Sequence, residues 1–143
     1  MRKALIAAGV AAASLAAALA AGAATNATTK LEANLRGAAE GAPASNRGRA
    51  EIRLTPSTGR VCWELRITKI DGKPNASHIH KGRRGISGNV VVPLGAGYKR
   101  QGCTTASKAL VRAIVRTPGA YYVNVHNAKH PAGAMRGQLI RGT

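Results

Sequence analysis

The stretch YYVNVHNAKHPAGAMRGQL, residues 121–139, decides the fold of this chain. Its first six residues have the β-branched and aromatic content of a strand, and side chains alternate between the two faces of a strand. A turn sequence around Pro131 and Gly133 interrupts the run, and residues 135–140 resume it as a second strand. The stretch therefore predicts a hairpin. One face of its first strand is apolar (Tyr121, Val123 and Val125) and the other is polar (Tyr122, Asn124 and His126).

Short strand-like segments separated by turn residues precede this hairpin. Residues 104–116 change to a helical period, with Thr105 or Ser107 as the N-cap, which predicts a short helix near residues 107–117. Regularly spaced strands predict an all-β fold, an antiparallel Greek-key-like β-sandwich with one short helix before the C-terminal hairpin. The other predicted strands are residues 30–36, 48–55, 60–70, 76–80 and 89–94.

The first residues have the composition of an export signal. Residues 1–3 are Met-Arg-Lys, residues 4–20 are apolar and rich in Ala, and small residues follow at 21–24. This pattern predicts a signal peptide over residues 1–24, a disordered lead over 25–29 and one domain over 30–143. The alternative, a membrane anchor, is disfavoured because the apolar run is short. We expect a mature protein with no membrane span, secreted or held in the cell envelope.

Two cysteines, Cys62 and Cys103, are present. An even number of cysteines in an exported chain indicates a disulfide, and a two-cysteine metal site is the alternative. On the chain-entropy model, closing the loop between them would stabilise the fold by about 4 kcal/mol.

The charge of the chain is strongly basic and uneven. The sequence has 22 Lys and Arg against 5 Asp and Glu, a net charge of +17, and removal of the two basic residues in the leader would leave +15. No acidic residue follows Asp71. Such a surface attracts anionic cell-envelope polymers or acidic polysaccharide, unless the charge serves only solubility. Lys81, Arg83 and Arg84 in a Gly-rich loop are the predicted polyanion contacts. Aromatic residues make up 3% of the chain, too few for a stacking platform, so we expect no sequence-specific nucleic-acid binding.

Histidines form a constellation with metal-ligand character. His78 and His80 are two residues apart on a strand and therefore point the same way, while His126 lies on the polar face of the hairpin strand. Three imidazoles from two strands could bind zinc or copper, and His130 could add a fourth ligand or remain solvated. The alternative is a polar cluster in which the imidazoles bond backbone carbonyls. This polar cluster is favoured because metal-bound imidazoles are often oriented by carboxylates, and the sequence has none after Asp71.

The sequence predicts no catalytic residues. No Ser–His–acid spacing stands out, and the two cysteines are expected to be bonded, so no activated nucleophile is available. Zinc or copper is the one cofactor that the residues suggest.

Motifs along nearly the whole mature chain follow the order of one known family. LRG at residues 35–37 and AEGAP at 39–43 resemble its opening loop, ASHIH at 76–80 its histidine strand, and RGQL at 136–139 its closing signature. The chain thus resembles a CHRD domain, the module named after chordin and also found alone in secreted bacterial proteins. It departs from the family at Ala134–Met135, where an acidic residue is common. The resemblance implies a secreted β-sandwich and no known enzyme activity.

Two functional hypotheses follow. The first is a secreted, non-catalytic CHRD module that binds partners or associates with the envelope and has affinity for polyanions. The second is a metal-binding or dismutase-like protein that uses His78, His80 and His126. The strand of His78 and His80 is also similar to the His-x-His strand of copper-zinc superoxide dismutase, although the dismutase's further histidines and zinc-binding Asp have no counterparts here.

Overall fold

The computed structural model describes residues 27–143, so the predicted signal peptide lies outside the described residues. No helix among them is long and apolar enough to cross a membrane. The strands are β1 (Thr29–Arg36), β2 (Arg47–Thr55), β3 (Arg60–Lys69), β4 (Pro74–Lys81), β5 (Val90–Pro93), β6 (Gln101–Thr105), β7 (Tyr121–Asn127), β8 (Met135–Gln138) and β9 (Ile140–Arg141). The α-helix α1 spans Lys108–Arg116, and short 3-10 helices span Gly37–Glu40 and Pro118–Ala120.

All of these strands pair in antiparallel fashion within one sheet, in the order β5-β4-β7-β8-β1-β2-β3-β6, with β9 beside β1. The sheet curls so that inward side chains from both of its halves form one core. This core includes Leu31, Ile52, Trp63 and Leu65 from one half and Ile79, Val92, Val123 and Val125 from the other. The predicted all-β antiparallel fold with one short helix is confirmed.

Local sequence explains most of the elements. Apolar and polar residues alternate in β2 and β3, and their apolar side chains are buried while Arg53 and Arg66 are exposed. The side chain of Ser107 accepts a hydrogen bond from the backbone N–H of Leu110 at 3.2 Å, which makes Ser107 the N-cap of α1. The helix buries Val111 and Ile114 against the core.

Strand β6 is not among the strands that the sequence predicts. Residues 95–102 have the composition of a loop, but Gln101–Thr105 pairs with β3. Cys62 and Cys103 lie directly opposite each other in this pair and form a disulfide, with their Cα atoms 4.0 Å apart. Strand β6 lacks apolar alternation because it is a sheet edge with little to bury.

The C-terminal strand is divided rather than continuous. It breaks at Leu139, whose backbone N–H donates to Tyr121 O at 3.0 Å, so that β8 pairs with β7 and β9 with β1. A Cβ on Gly137 would lie 2.3 Å from Asn34 O, so the close approach of β8 to β1 requires glycine at this position. At the other end of the domain, Thr29 pairs with Leu54, so the last residue of the predicted disordered lead belongs to the sheet.

Candidate functional site

The outer face of β4, β7 and β8 carries a layer of polar side chains. Residues that face each other in a strand pair lie on the same side of the sheet. His80 is opposite Tyr122, and His78 is opposite Asn124. Asn124 is in turn opposite Arg136 on β8. The polar face predicted for residues 121–126 is therefore continued on both neighbouring strands.

Three histidines converge on this face. The Nδ1 atom of His78 lies 3.1 Å from Nε2 of His126, and the ring centroids of His78 and His80 are 5.6 Å apart. One ring nitrogen from each of the three residues lies within 4.8 Å of those of the other two. The structure thus brings together the residues that the sequence proposed as metal ligands.

Two backbone carbonyls fix the orientation of two of these imidazoles. His80 Nδ1 is 2.8 Å from Gly88 O, and His126 Nδ1 is 2.9 Å from Pro131 O. A carbonyl oxygen only accepts hydrogen bonds, so Nδ1 of each neutral ring carries the proton and Nε2 presents a lone pair. His78 Nδ1 then donates to His126 Nε2. The carbonyls serve in place of the carboxylates whose absence the sequence analysis noted.

Burial favours the neutral form of His78 and His80. The pKa of His78 is lowered first by desolvation and further by His126 and His80. Desolvation also lowers the pKa of His80, although its hydrogen bond to Gly88 partly opposes the shift. Neutral imidazole is the form that binds metal ions.

Buried polar atoms without hydrogen-bond partners mark this face. Among the described residues, His80 Nε2 and Asn124 Oδ1 are fully buried and accept no hydrogen bond. A buried polar group without a partner destabilises a fold by about 1–3 kcal/mol. Both atoms are therefore available to a ligand that the fold could hold here.

An ion pair that the sequence did not predict lies next to the histidine cluster. Arg136 Nε lies 3.4 Å from Glu40 Oε1, and both side chains are about nine-tenths buried. Desolvation raises the pKa of Glu40, while Arg136 opposes the shift. The guanidinium also sits 4.7 Å from the ring centroid of Tyr122, whose ring stacks on His80. The RGQ motif of the closing signature was the one sequence feature that pointed to Arg136.

His130 lies outside the cluster. Its Nε2 is 2.9 Å from Asp71 Oδ2, and the Asn46 side-chain amide donates to the other carboxylate oxygen at 2.6 Å. These hydrogen bonds, that of Asn46 first, lower the pKa of Asp71. His130 is thus engaged with Asp71 and is not one of the three clustered ligands.

The basic loop between β4 and β5 is folded against the same face. Gln138 Nε2 donates to Gly82 O at 2.7 Å, and Gly88 N–H donates to Tyr122 Oη at 3.2 Å. A tight turn, closed by the hydrogen bond from Ile86 N to Arg83 O, puts Gly85 at φ 81°, which favours glycine. Arg83 and Arg84 lie in this turn and Lys81 is the last residue of β4, and all three of these predicted polyanion contacts are exposed.

Acidic residues are concentrated on the other half of the sheet. Glu32, Glu51 and Glu64 lie side by side across β1, β2 and β3, since Glu51 is opposite both of the others. Each forms at least one ion pair there, with Lys30, Arg49, Arg53, Arg66 or Arg100. The basic loop at residues 81–88 therefore has no acidic neighbour from this row.

A comparison with protein families identifies the domain. The family model of the CHRD domain matches residues 31–139. No curated protein and no solved structure shows detectable similarity to the chain. The matched range begins in β1 and includes the histidine strand, the basic loop and the closing hairpin. This chain therefore belongs to the CHRD domain family.

Proposed function

We propose that this CHRD domain is a secreted metal-binding module that holds one copper or zinc ion between His78, His80 and His126. The observation that carries the proposal is the buried Nε2 of His80, which has no hydrogen-bond partner among the described residues and belongs to a cluster of three imidazoles. Imidazole nitrogen suits both metals, and the cluster contains no thiolate or carboxylate that would select another ion.

The cluster needs little rearrangement to accept an ion. Metal–nitrogen bonds of about 2.0–2.1 Å place tetrahedral nitrogen ligands about 3.3 Å apart. The ligand nitrogens are now within 4.8 Å of one another, and one pair is already at 3.1 Å. Binding through Nδ1 of His78 moves its proton to Nε2 of the same ring. His78 is only half-buried, so a water or small anion can reach a fourth position.

Metal content tests the proposal directly. Tag-free protein purified without added ions, or reloaded after chelation, is expected to contain about one copper or zinc ion per chain. His80→Ala and His126→Ala are expected to remove it, because each deletes a ligand. His130→Ala is the matched control and should retain the ion, since His130 bonds Asp71 instead. Protein that takes up no ion, or retains it in His80→Ala, would show that the histidines are structural. Dismutase-like activity of the copper form stays a prediction.

Export is the second part of the proposal. The disulfide between Cys62 and Cys103 belongs to an oxidising compartment, and residues 1–24 have the composition of a signal peptide. The domain then acts in the extracellular space or the cell envelope.

Affinity for polyanions is a second candidate function, favoured by the separation of charges on the sheet. The acidic row on β1–β3 is neutralised locally, whereas Lys81, Arg83 and Arg84 form no ion pair with any described residue. The backbone of the loop that carries them is tied to β7 and β8 by hydrogen bonds, so the three basic residues stay on one side of the domain. Anionic wall polymers or acidic polysaccharide are the expected partners.

Salt dependence checks this candidate function. Retention on an immobilised acidic polysaccharide is expected to fall steeply between about 0.1 M and 1 M salt, where the screening length shrinks from about 10 Å to 3 Å. Arg83→Gln/Arg84→Gln should elute at lower salt than Lys108→Gln/Arg112→Gln, which removes the same charge from the exposed face of α1. Equal elution of the two variants, or retention that salt does not change, would contradict a role for the loop.

A further inference from the structure

A pocket of about 390 Å³ opens beside the basic loop. Three arginines line it: Arg36 at the end of β1, Arg84 at the tip of the turn, and Arg136 on β8. Its volume lies within the range of small-ligand pockets, about 300–1,000 Å³. None of its lining residues is acidic.

Arginines are also aligned across the sheet at this place. Arg36 is opposite Arg47 on β2 and opposite Arg136 on β8. Like charges directly opposite each other destabilise a strand pair. Glu40 compensates Arg136, but no described residue forms an ion pair with Arg36 or Arg84. The fold therefore holds two unpaired guanidinium groups around one cavity, and an anion from solution would neutralise them.

The lining of the pocket suits a ligand larger than a bare ion. Two of its residues, Ala39 and the half-exposed Ile140, add apolar surface between the guanidinium groups. The amide side chains of Asn34 and Gln138 complete the wall. An anionic sugar has matching chemistry, because its carboxylate fits the planar fork of arginine while its ring offers C–H surface and hydroxyl groups. A simple phosphate would leave the apolar wall unused.

We propose that this arginine pocket, formed by Arg36, Arg84 and Arg136, binds a carboxylate-bearing sugar unit of an acidic polysaccharide. The proposal rests on the polyanion affinity proposed above and assigns it to one discrete site. Arg136 is already fixed by Glu40 and by its hydrogen bond to Ile86 O at 3.4 Å, so it positions the loop and the base of the pocket. Arg36 and Arg84 supply the free guanidinium groups that contact the carboxylate.

Arg112 on α1 provides a matched control for Arg84. Both are exposed arginines without an ion pair to any described residue, but only Arg84 lines the pocket. Calorimetric titration with a uronate trisaccharide is expected to show affinity at least about tenfold weaker in Arg84→Gln and in Arg36→Gln, since each removes a charge-assisted contact. Arg112→Gln should stay within about twofold of the unmodified protein. Circular dichroism of each variant confirms that the fold is retained.

A comparison of ligands distinguishes binding of a sugar carboxylate from binding of any anion. The methyl ester of the same trisaccharide lacks the charge and should not bind, and inorganic phosphate should bind far more weakly than the uronate. Equal losses in Arg112→Gln and Arg84→Gln would overturn the pocket while leaving diffuse polyanion affinity intact. Phosphate binding as tight as uronate binding would overturn the assignment to a sugar. Absence of retention on any acidic polymer would overturn both proposals together.

Discussion

Replacement of Cys62 and Cys103 by alanine is expected to lower the free energy of unfolding by about 2–5 kcal/mol. The disulfide closes a loop of 41 residues, from β3 through the histidine strand to β6. Its loss gives the unfolded chain more conformations. It also frees β6, which pairs with β3 alone and lies at the edge of the sheet.

Urea unfolding measures this effect, and single variants supply the control. Cys62→Ala and Cys103→Ala should each destabilise about as much as the double variant, because either one removes the whole bond. Reduced wild-type protein should match them. Additive losses from the two single variants, or a free thiol in denatured protein before reduction, would contradict the bond.

The edge position of β6 also explains why the sequence analysis missed it. Strands β2 and β3 could be predicted because both face the core on one side, and their burial enforces alternation. Strand β6 buries little, and Gly102 lies against the indole of Trp63, where a Cβ would be 2.7 Å from the ring. Glycine in a strand is normally read as a turn residue. Because the packing of Trp63 requires a glycine here, the local sequence pattern does not indicate a strand.

Helix α1 could be predicted from local sequence, whereas the division of the last strand could not. Ser107 caps α1 through a bond to Leu110, three residues away, and such local contacts can be recognised in a sequence. The break at Leu139 depends on β1 and β7, which are distant in the chain but compete for the same segment. No local pattern encodes that competition.

The sequence predicts which histidines share a strand face, but not how the two strands bring them together. The two-residue spacing of His78 and His80 places them on one strand face, and the alternation in β7 adds His126. Their meeting depends on the register between β4 and β7, which sets Ala76 opposite His126 and leaves His78 as its diagonal neighbour. The carbonyls of Gly88 and Pro131 carry no sequence signature, because every residue has a carbonyl.

Copper or zinc is expected to stabilise the folded protein by about 4 kcal/mol when free metal exceeds its dissociation constant a thousandfold. The ion binds the assembled cluster, whereas the unfolded chain separates His126 from the other two ligands. Thermal melts with and without metal measure the shift. His80→Ala should abolish it, and His130→Ala should retain it because His130 is held by Asp71.

The stability of the metal-free protein should also fall as the pH is lowered. Burial lowers the pKa of His78 and His80 in the folded state, so as pH falls below the ordinary imidazole value, about 6.5, the unfolded chain takes up protons before the folded one. The metal-free protein therefore has its full stability above that pH and loses it as pH falls through the lowered pKa values.

Protons also compete with the ion for the same nitrogen lone pairs, so the metal-induced rise in melting temperature should be full near pH 7.5 and fade below about pH 6. A rise that persists unchanged at pH 5 would place the metal on carboxylates rather than on the histidines. Carboxylates for such a site are those of Glu32, Glu51 and Glu64, which lie side by side across β1, β2 and β3. The two sites can be separated, since Glu51→Gln would weaken an acid-resistant shift and leave a histidine-dependent one in place.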